Sequence, residues 1–131
     1  MSDRIGTVRA VSFSPTGSTR RVLRSIAAGI GAARVQEDSL DRPAWREAGV
    51  QVGADELLLV GMPVYAGRVP GLFHGGLPVR GTGDAVCVVC YGNRAYEDAL
   101  SELVGLTRRA GFRVIAAGAF VTEHSLNGRI A

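Results

Sequence analysis

The sequence predicts an α/β domain with a doubly wound parallel sheet and right-handed crossovers. β-prone runs alternate along its 131 residues with stretches of helical apolar spacing, the pattern of this class. Two runs, Leu57-Leu58-Leu59-Val60-Gly61 and Ala85-Val86-Cys87-Val88-Val89-Cys90-Tyr91, are apolar almost throughout. Such strands need cover on both faces and sit in the middle of parallel sheets. The length suits one domain, residues 1–131, rather than two.

Taken in order, Val8-Arg9-Ala10-Val11-Ser12-Phe13 is a first strand, halted by the turn and cap cluster Ser14-Pro15-Thr16-Gly17-Ser18-Thr19. A helix starts at Ser18, where Val22, Leu23, Ile26, Ala27 and Ile30 fall on one side, and Gly29 and Gly31 mark its end. Residues 34–38 read as a weaker second strand. Pro43 suits the first turn of a short helix that carries Trp45 as a packing residue. The third strand covers 57–61 and the fourth 85–91. Between them a Gly- and Pro-rich connection, 62–83, holds at most one helical turn. Leu100, Leu103, Val104 and Leu106 set a helix over 96–110, capped by Gly111, and residues 113–121 form the fifth strand. Only ten residues, 122–131, follow it, where the alternation calls for a closing helix; a C-terminally truncated unit is therefore expected.

Composition removes several chemistries. All fifteen Lys/Arg positions are Arg, so a Walker loop ending in Gly-Lys, a Schiff-base lysine and a Ser-x-x-Lys acyl enzyme are excluded. The net charge of +3 is mild and the Arg residues are scattered, which fits a solvated surface and neither a nucleic-acid nor a membrane partner. The apolar runs are far shorter than the ~20 residues of a membrane span. The start, Met1-Ser2-Asp3-Arg4, has no apolar leader, and two Cys fit a reducing cytoplasm. Cys87 and Cys90 have the spacing of a redox motif, but residues three apart on a strand point to opposite faces and cannot share a disulfide or a metal. His74 and His124 are isolated and read as loop or surface residues. Arg20, Arg21 and Arg24 follow the first loop; solvated surface is their default, with a phosphate, a nucleotide or an acidic partner as the functional reading.

Ligands of doubly wound sheets bind beyond the carboxyl ends of the strands. The first such segment, Ser14 to Thr19, offers four hydroxyls in six residues, with Gly17 to let the backbone turn, at a helix N-terminus. Free N–H groups and the positive end of the macrodipole make a phosphate site that needs no cation. Capping by Ser14 or Ser18 accounts for one hydroxyl, not four. This segment resembles the FMN-phosphate loop of flavodoxins, Ser/Thr-x-Thr-Gly-x-Thr. Two further blocks, Gly61-Met62-Pro63-Val64-Tyr65-Ala66-Gly67-Arg68-Val69-Pro70 and Tyr91-Gly92-Asn93-Arg94-Ala95-Tyr96-Glu97-Asp98-Ala99-Leu100, are similar to the flavin-facing loops of the flavodoxin-like domain found in flavodoxin-ferredoxin fusions, the "ferrodoxin" branch.

The resemblance implies a flavodoxin-like five-stranded sheet of order 2-1-3-4-5, FMN as cofactor, and electron transfer between redox partner proteins, ferredoxin-type among them. It implies a phosphate held on Ser14, Pro15, Thr16, Gly17, Ser18 and Thr19. The ring would lie between Pro63, Val64, Tyr65, Ala66, Gly67 and Arg68 on one side and Tyr91, Gly92, Asn93 and Tyr96 on the other. Chemically, Tyr65 and Tyr96 suit as ring walls with Tyr91 as a third; Pro63 and Gly67 shape a tight turn; and Gly92 and Asn93 offer polar groups to the pyrimidine edge. The Ala66-Gly67 peptide is the one that would rotate to accept the N5 proton of the flavin semiquinone. A ferredoxin module is not expected, since each cluster needs four thiolates and the chain has two Cys. The rival readings are an NAD(P)H-dependent flavin or quinone reductase and a flavin-free interaction module. An oligomer through the uncovered sheet face is a further expectation.

Overall fold

The computed structural model describes residues 6–92 and 96–122. Strands β1 (Thr7–Ser12), β2 (Arg34–Ser39), β4 (Leu57–Pro63), β6 (Asp84–Tyr91) and β7 (Arg113–Val121) form one parallel sheet in the order β2-β1-β4-β6-β7. Counted along this sheet alone, the order is the expected 2-1-3-4-5. Helices α1 (Ser18–Ile30) and α3 (Glu97–Arg109) flank it, and a short α2 (Pro43–Ala48) follows β2. α2 opens on Pro43, where a missing N–H costs nothing.

β4 lies between β1 and β6 and is buried from Leu57 to Met62, so its unbroken apolar run is the direct consequence of its place. On one face α1 presents Leu23 and Ala27 to Val8, Ala10, Leu57, Leu59, Val88 and Cys90. On the other, Ala99, Leu103 and Leu106 of α3 join Val11, Leu58, Val60, Cys87 and Val89. Each leucine so buried stabilises the fold by about 1.5–3 kcal/mol. Cys87 and Cys90 lie on opposite faces of β6, as strand alternation requires.

Three details depart from expectation. β4 runs on through Met62 and Pro63, because their partners Val89 and Cys90 on β6 extend the ladder; Pro63, which donates no N–H, sits at the strand's last position. The 62–83 connection holds the expected helical turn, Gly71–Phe73, and also a strand, β5 (Val79–Arg80), which pairs in parallel with β3 (Val50–Gln51) as a separate two-stranded sheet. Two-residue strands carry no periodicity to read. Trp45 does not pack inside; it is 45% exposed, with the Arg42 guanidinium 4.8 Å from its ring centroid, a cation–π contact. Among the described residues no helix is long and apolar enough to cross a membrane.

Candidate functional site

All five strands of the main sheet are parallel, so the segments leaving β1, β4 and β6 emerge at one end, side by side, because those strands are neighbours. Phe13 continues the β1 ladder by donating its N–H to the Gly61 carbonyl (3.2 Å) and packs edge-on against Phe73, with ring centroids 5.3 Å apart. The chain then turns: Gly17 N–H donates to the Ser14 carbonyl (2.9 Å), and Gly17 sits at φ 88°, ψ −8° as the residue before α1. That left-handed backbone is the reason for glycine here.

The hydroxyls of this loop do different things. Ser14 is buried, and its Oγ accepts the Arg20 N–H at 3.0 Å, so it caps a free donor of the first helical turn. Thr19 is also buried; its methyl lies toward Gly61 and its hydroxyl toward the Cys90 thiol. Thr16 and Ser18 hydroxyls are 3.3 Å apart on the outer side. The first intrahelical bond runs from Arg21 N–H to the Gly17 carbonyl, which leaves the N–H groups of Ser18 and Thr19 ahead of the ladder. Arg21 is exposed and Arg20 partly so, as expected of surface residues, yet both side chains fold back toward the turn. Their guanidinium nitrogens come within 3.5 and 3.7 Å of where a Gly17 Cβ would stand, which brings two cations over the turn. Asp41, which follows β2, accepts the Ser14 N–H at 2.6 Å and lies 3.7 Å from Arg20.

In the second loop, Tyr65 and Arg68 exchange backbone hydrogen bonds in both directions (2.8 and 3.0 Å) around Ala66 at φ 52° and Gly67 at φ 82°. Two positive φ values in a two-residue loop are the pattern of a type I′ turn, which glycine tolerates and alanine adopts with strain. Val64 N–H anchors the entry to the Cys90 carbonyl at 2.9 Å. The exit is held by Glu102 of α3, whose carboxylate accepts the Val69 N–H at 3.0 Å and pairs with the Arg68 guanidinium. Arg68 keeps the Glu102 carboxyl below the usual carboxylate range. Tyr65 is 47% exposed.

Tyr91 ends β6 and Tyr96 precedes α3; their rings lie against each other with centroids 4.7 Å apart at 34°. They therefore make one aromatic wall together, and Tyr65 is the separate, exposed ring. Gly92 is exposed, and Asn93 lies outside the described residues, as does His124. Burial raises both Cys87 and Cys90 above the ordinary thiol value, which makes them poor nucleophiles.

Asp41 and Glu102 enter the site without any sequence signal. One follows a strand and the other sits on a helix surface, and only the topology brings each to its loop. His74 is a loop residue as expected, yet it is engaged, with Nε2–H donating to the Val69 carbonyl at 2.8 Å.

The described residues fit a phosphorylated planar cofactor on two counts. The first loop offers uncommitted helix-start N–H groups, two outer hydroxyls and two guanidinium groups for an anion. The second and third present aromatic faces beside backbone that can approach a ring. No protein-family model matches the sequence, and no curated protein matches it. Solved structures do share its shape. A flavodoxin from the domain Archaea superposes with a TM-score of 0.62 at 16% identity, over 89% of this chain and 84% of that one. A "Putative flavoprotein from Bacteroides uniformis" superposes with a TM-score of 0.61 at 14% identity, over 92% and 94%. Together with the strand order, these establish a flavodoxin-like fold.

Proposed function

We propose that this protein binds FMN non-covalently and carries electrons between redox partner proteins in the cytoplasm. The observation that supports this reading best is the meeting of three loops at one end of the sheet, each with the chemistry that one part of such a cofactor needs. When bound, the flavin would supply one- and two-electron redox chemistry that no side chain here provides.

The chain's own residues would bind and shield it. The N–H groups of Ser18 and Thr19 and the hydroxyls of Thr16 and Ser18 would hold the phosphate, with Gly17 keeping the backbone low enough for approach. Arg20 and Arg21 would add charge, so phosphate binding here would weaken with salt. Tyr65 and the Tyr91–Tyr96 pair would keep water from the ring faces. The Ala66-Gly67 peptide, in the only described turn with consecutive positive φ, would present its backbone to the ring edge.

The test begins with the purified protein, which should be yellow and release FMN, not FAD, on denaturation. A colourless protein that takes up no added FMN would refute the reading. Turnover of NAD(P)H with quinone by the protein alone would instead make it a reductase. Turnover only when a ferredoxin-type or other redox protein is added supports the carrier.

A further inference from the structure

We propose that Glu102 is a positioning residue for the cofactor: it fixes the Tyr65–Arg68 turn to α3, and so sets the spacing between the Tyr65 ring and the Tyr91–Tyr96 wall. The inference rests on the flavin reading above.

The turn is a unit closed by its own two hydrogen bonds, but its tip is open: Ala66 is exposed, and a Cβ at Gly67 would meet no atom beyond its chain neighbours within 4 Å. Its aim is therefore set at its two ends. The entry is tied to the sheet through Val64 and Cys90, and the exit is tied to α3 through both oxygens of Glu102. His74 completes the hold on the exit by donating to the Val69 carbonyl, with its Nε2 3.9 Å from Glu102. Thus the N–H and C=O of Val69 are both restrained, one by the helix and one by the turn Gly71–Phe73 that leads to His74.

Tyr96 is the N-cap of the same helix. Tyr96 and Glu102 are six residues apart on one rigid element, about 9 Å along its axis. Its N-terminal end carries half of the aromatic pair and its middle grips the loop that carries Tyr65. A displacement of the turn by about 1 Å is enough to weaken a stacked, pre-organised site severely.

Three variants separate positioning from stability. Glu102→Ala removes both contacts; Glu102→Gln keeps an acceptor for the Val69 N–H; Glu102→Asp keeps the charge but draws it back from the turn, and serves if the alanine variant folds poorly. Expected in E102A is a melting temperature lower by a few degrees, because the buried Val69 N–H loses its acceptor, with E102Q near wild type, together with faster amide exchange at Val69 in the cofactor-free E102A protein. FMN dissociation constants should rise about tenfold in E102A and E102D, because binding must then also order the released turn, with most of the loss restored in E102Q. The separation between the two one-electron potentials should shift in E102A as well. Wild-type affinity and potentials in E102A and E102D would overturn the inference while leaving the flavin reading intact. A wild-type protein that takes up no FMN would overturn both.

Discussion

Gly17 shows how one residue without a side chain can set a site. At φ 88° an L-residue is strained, whereas the space around a Cβ there is ordinary, since its nearest contacts would be the Arg20 and Arg21 guanidinium groups at 3.5 and 3.7 Å. A Gly17→Ala change should therefore act through backbone strain, costing about 1–2 kcal/mol, and not through a clash. The melting temperature should fall by a few degrees. In calorimetric titration, affinity for FMN should fall more than affinity for riboflavin, because only FMN carries the phosphate that this loop would hold. Equal losses for the two ligands would remove the loop from the phosphate site. Gly67 follows the same logic at φ 82° with open space beyond it. Gly67→Val should retain FMN but narrow the gap between its one-electron potentials; an unaltered gap would count against a role for the Ala66-Gly67 peptide.

Between elements, α1 approaches β4 closely beside the site. A Cβ on Gly61 would stand 2.8 Å from Leu23 Cδ2 and 3.0 Å from the Thr19 methyl, so Gly61→Ala must displace the Leu23 and Thr19 side chains, which sit in the first turns of α1. Overpacking of this kind costs about 1–3 kcal/mol. Because the first turn of α1 is also the first loop's wall, the urea midpoint and FMN affinity should fall together; a stability loss with full affinity would mean the loop does not depend on that contact. This is also the scale at which the sequence was most legible. The apolar runs of β4 and β6 and the spacing of Leu23, Ala27, Leu103 and Leu106 carry periodicities that burial enforces, and the Ser/Thr/Gly cluster after β1 marks a turn at a helix start. The two-residue strands β3 and β5 carry no such period. Glu102 and Asp41 were invisible for another reason: their partners Val69 and Ser14 lie 33 and 27 residues away, and local pattern does not encode such distances. Trp45 shows the converse limit, since an aromatic residue on a six-residue helix can be satisfied by a neighbouring guanidinium without entering a core.

Across the whole molecule, arginine–carboxylate pairs tie together elements distant in sequence. Arg9 on β1 bonds Asp38 of β2 and Glu56 before β4; Arg24 on α1 bonds Glu37 of β2; Arg68 after β4 bonds Glu102 of α3. Three of these carboxyls are held below their ordinary values. Glu56 is held mainly by the Gly53 N–H at 2.7 Å and then by Arg9, Glu37 by Arg24, and Glu102 by Arg68. The sign of their effect on stability follows from linkage. Where the folded value is lower, the unfolded chain binds more protons through the carboxylate range, so stability rises with pH there. The contribution is complete above the unfolded glutamate value of about 4.3 and is lost as pH falls through the lowered folded values. Since these groups reach solvent, each contributes modestly and is screened by salt. The wild-type urea midpoint should thus decline as pH is lowered through this range at low ionic strength. A Glu37→Gln, Glu56→Gln double variant should be less stable at pH 7, show a shallower decline, and approach the wild type in acid. Parallel profiles for the two proteins would show that these pairs, though present in the structure, do not link protonation to folding.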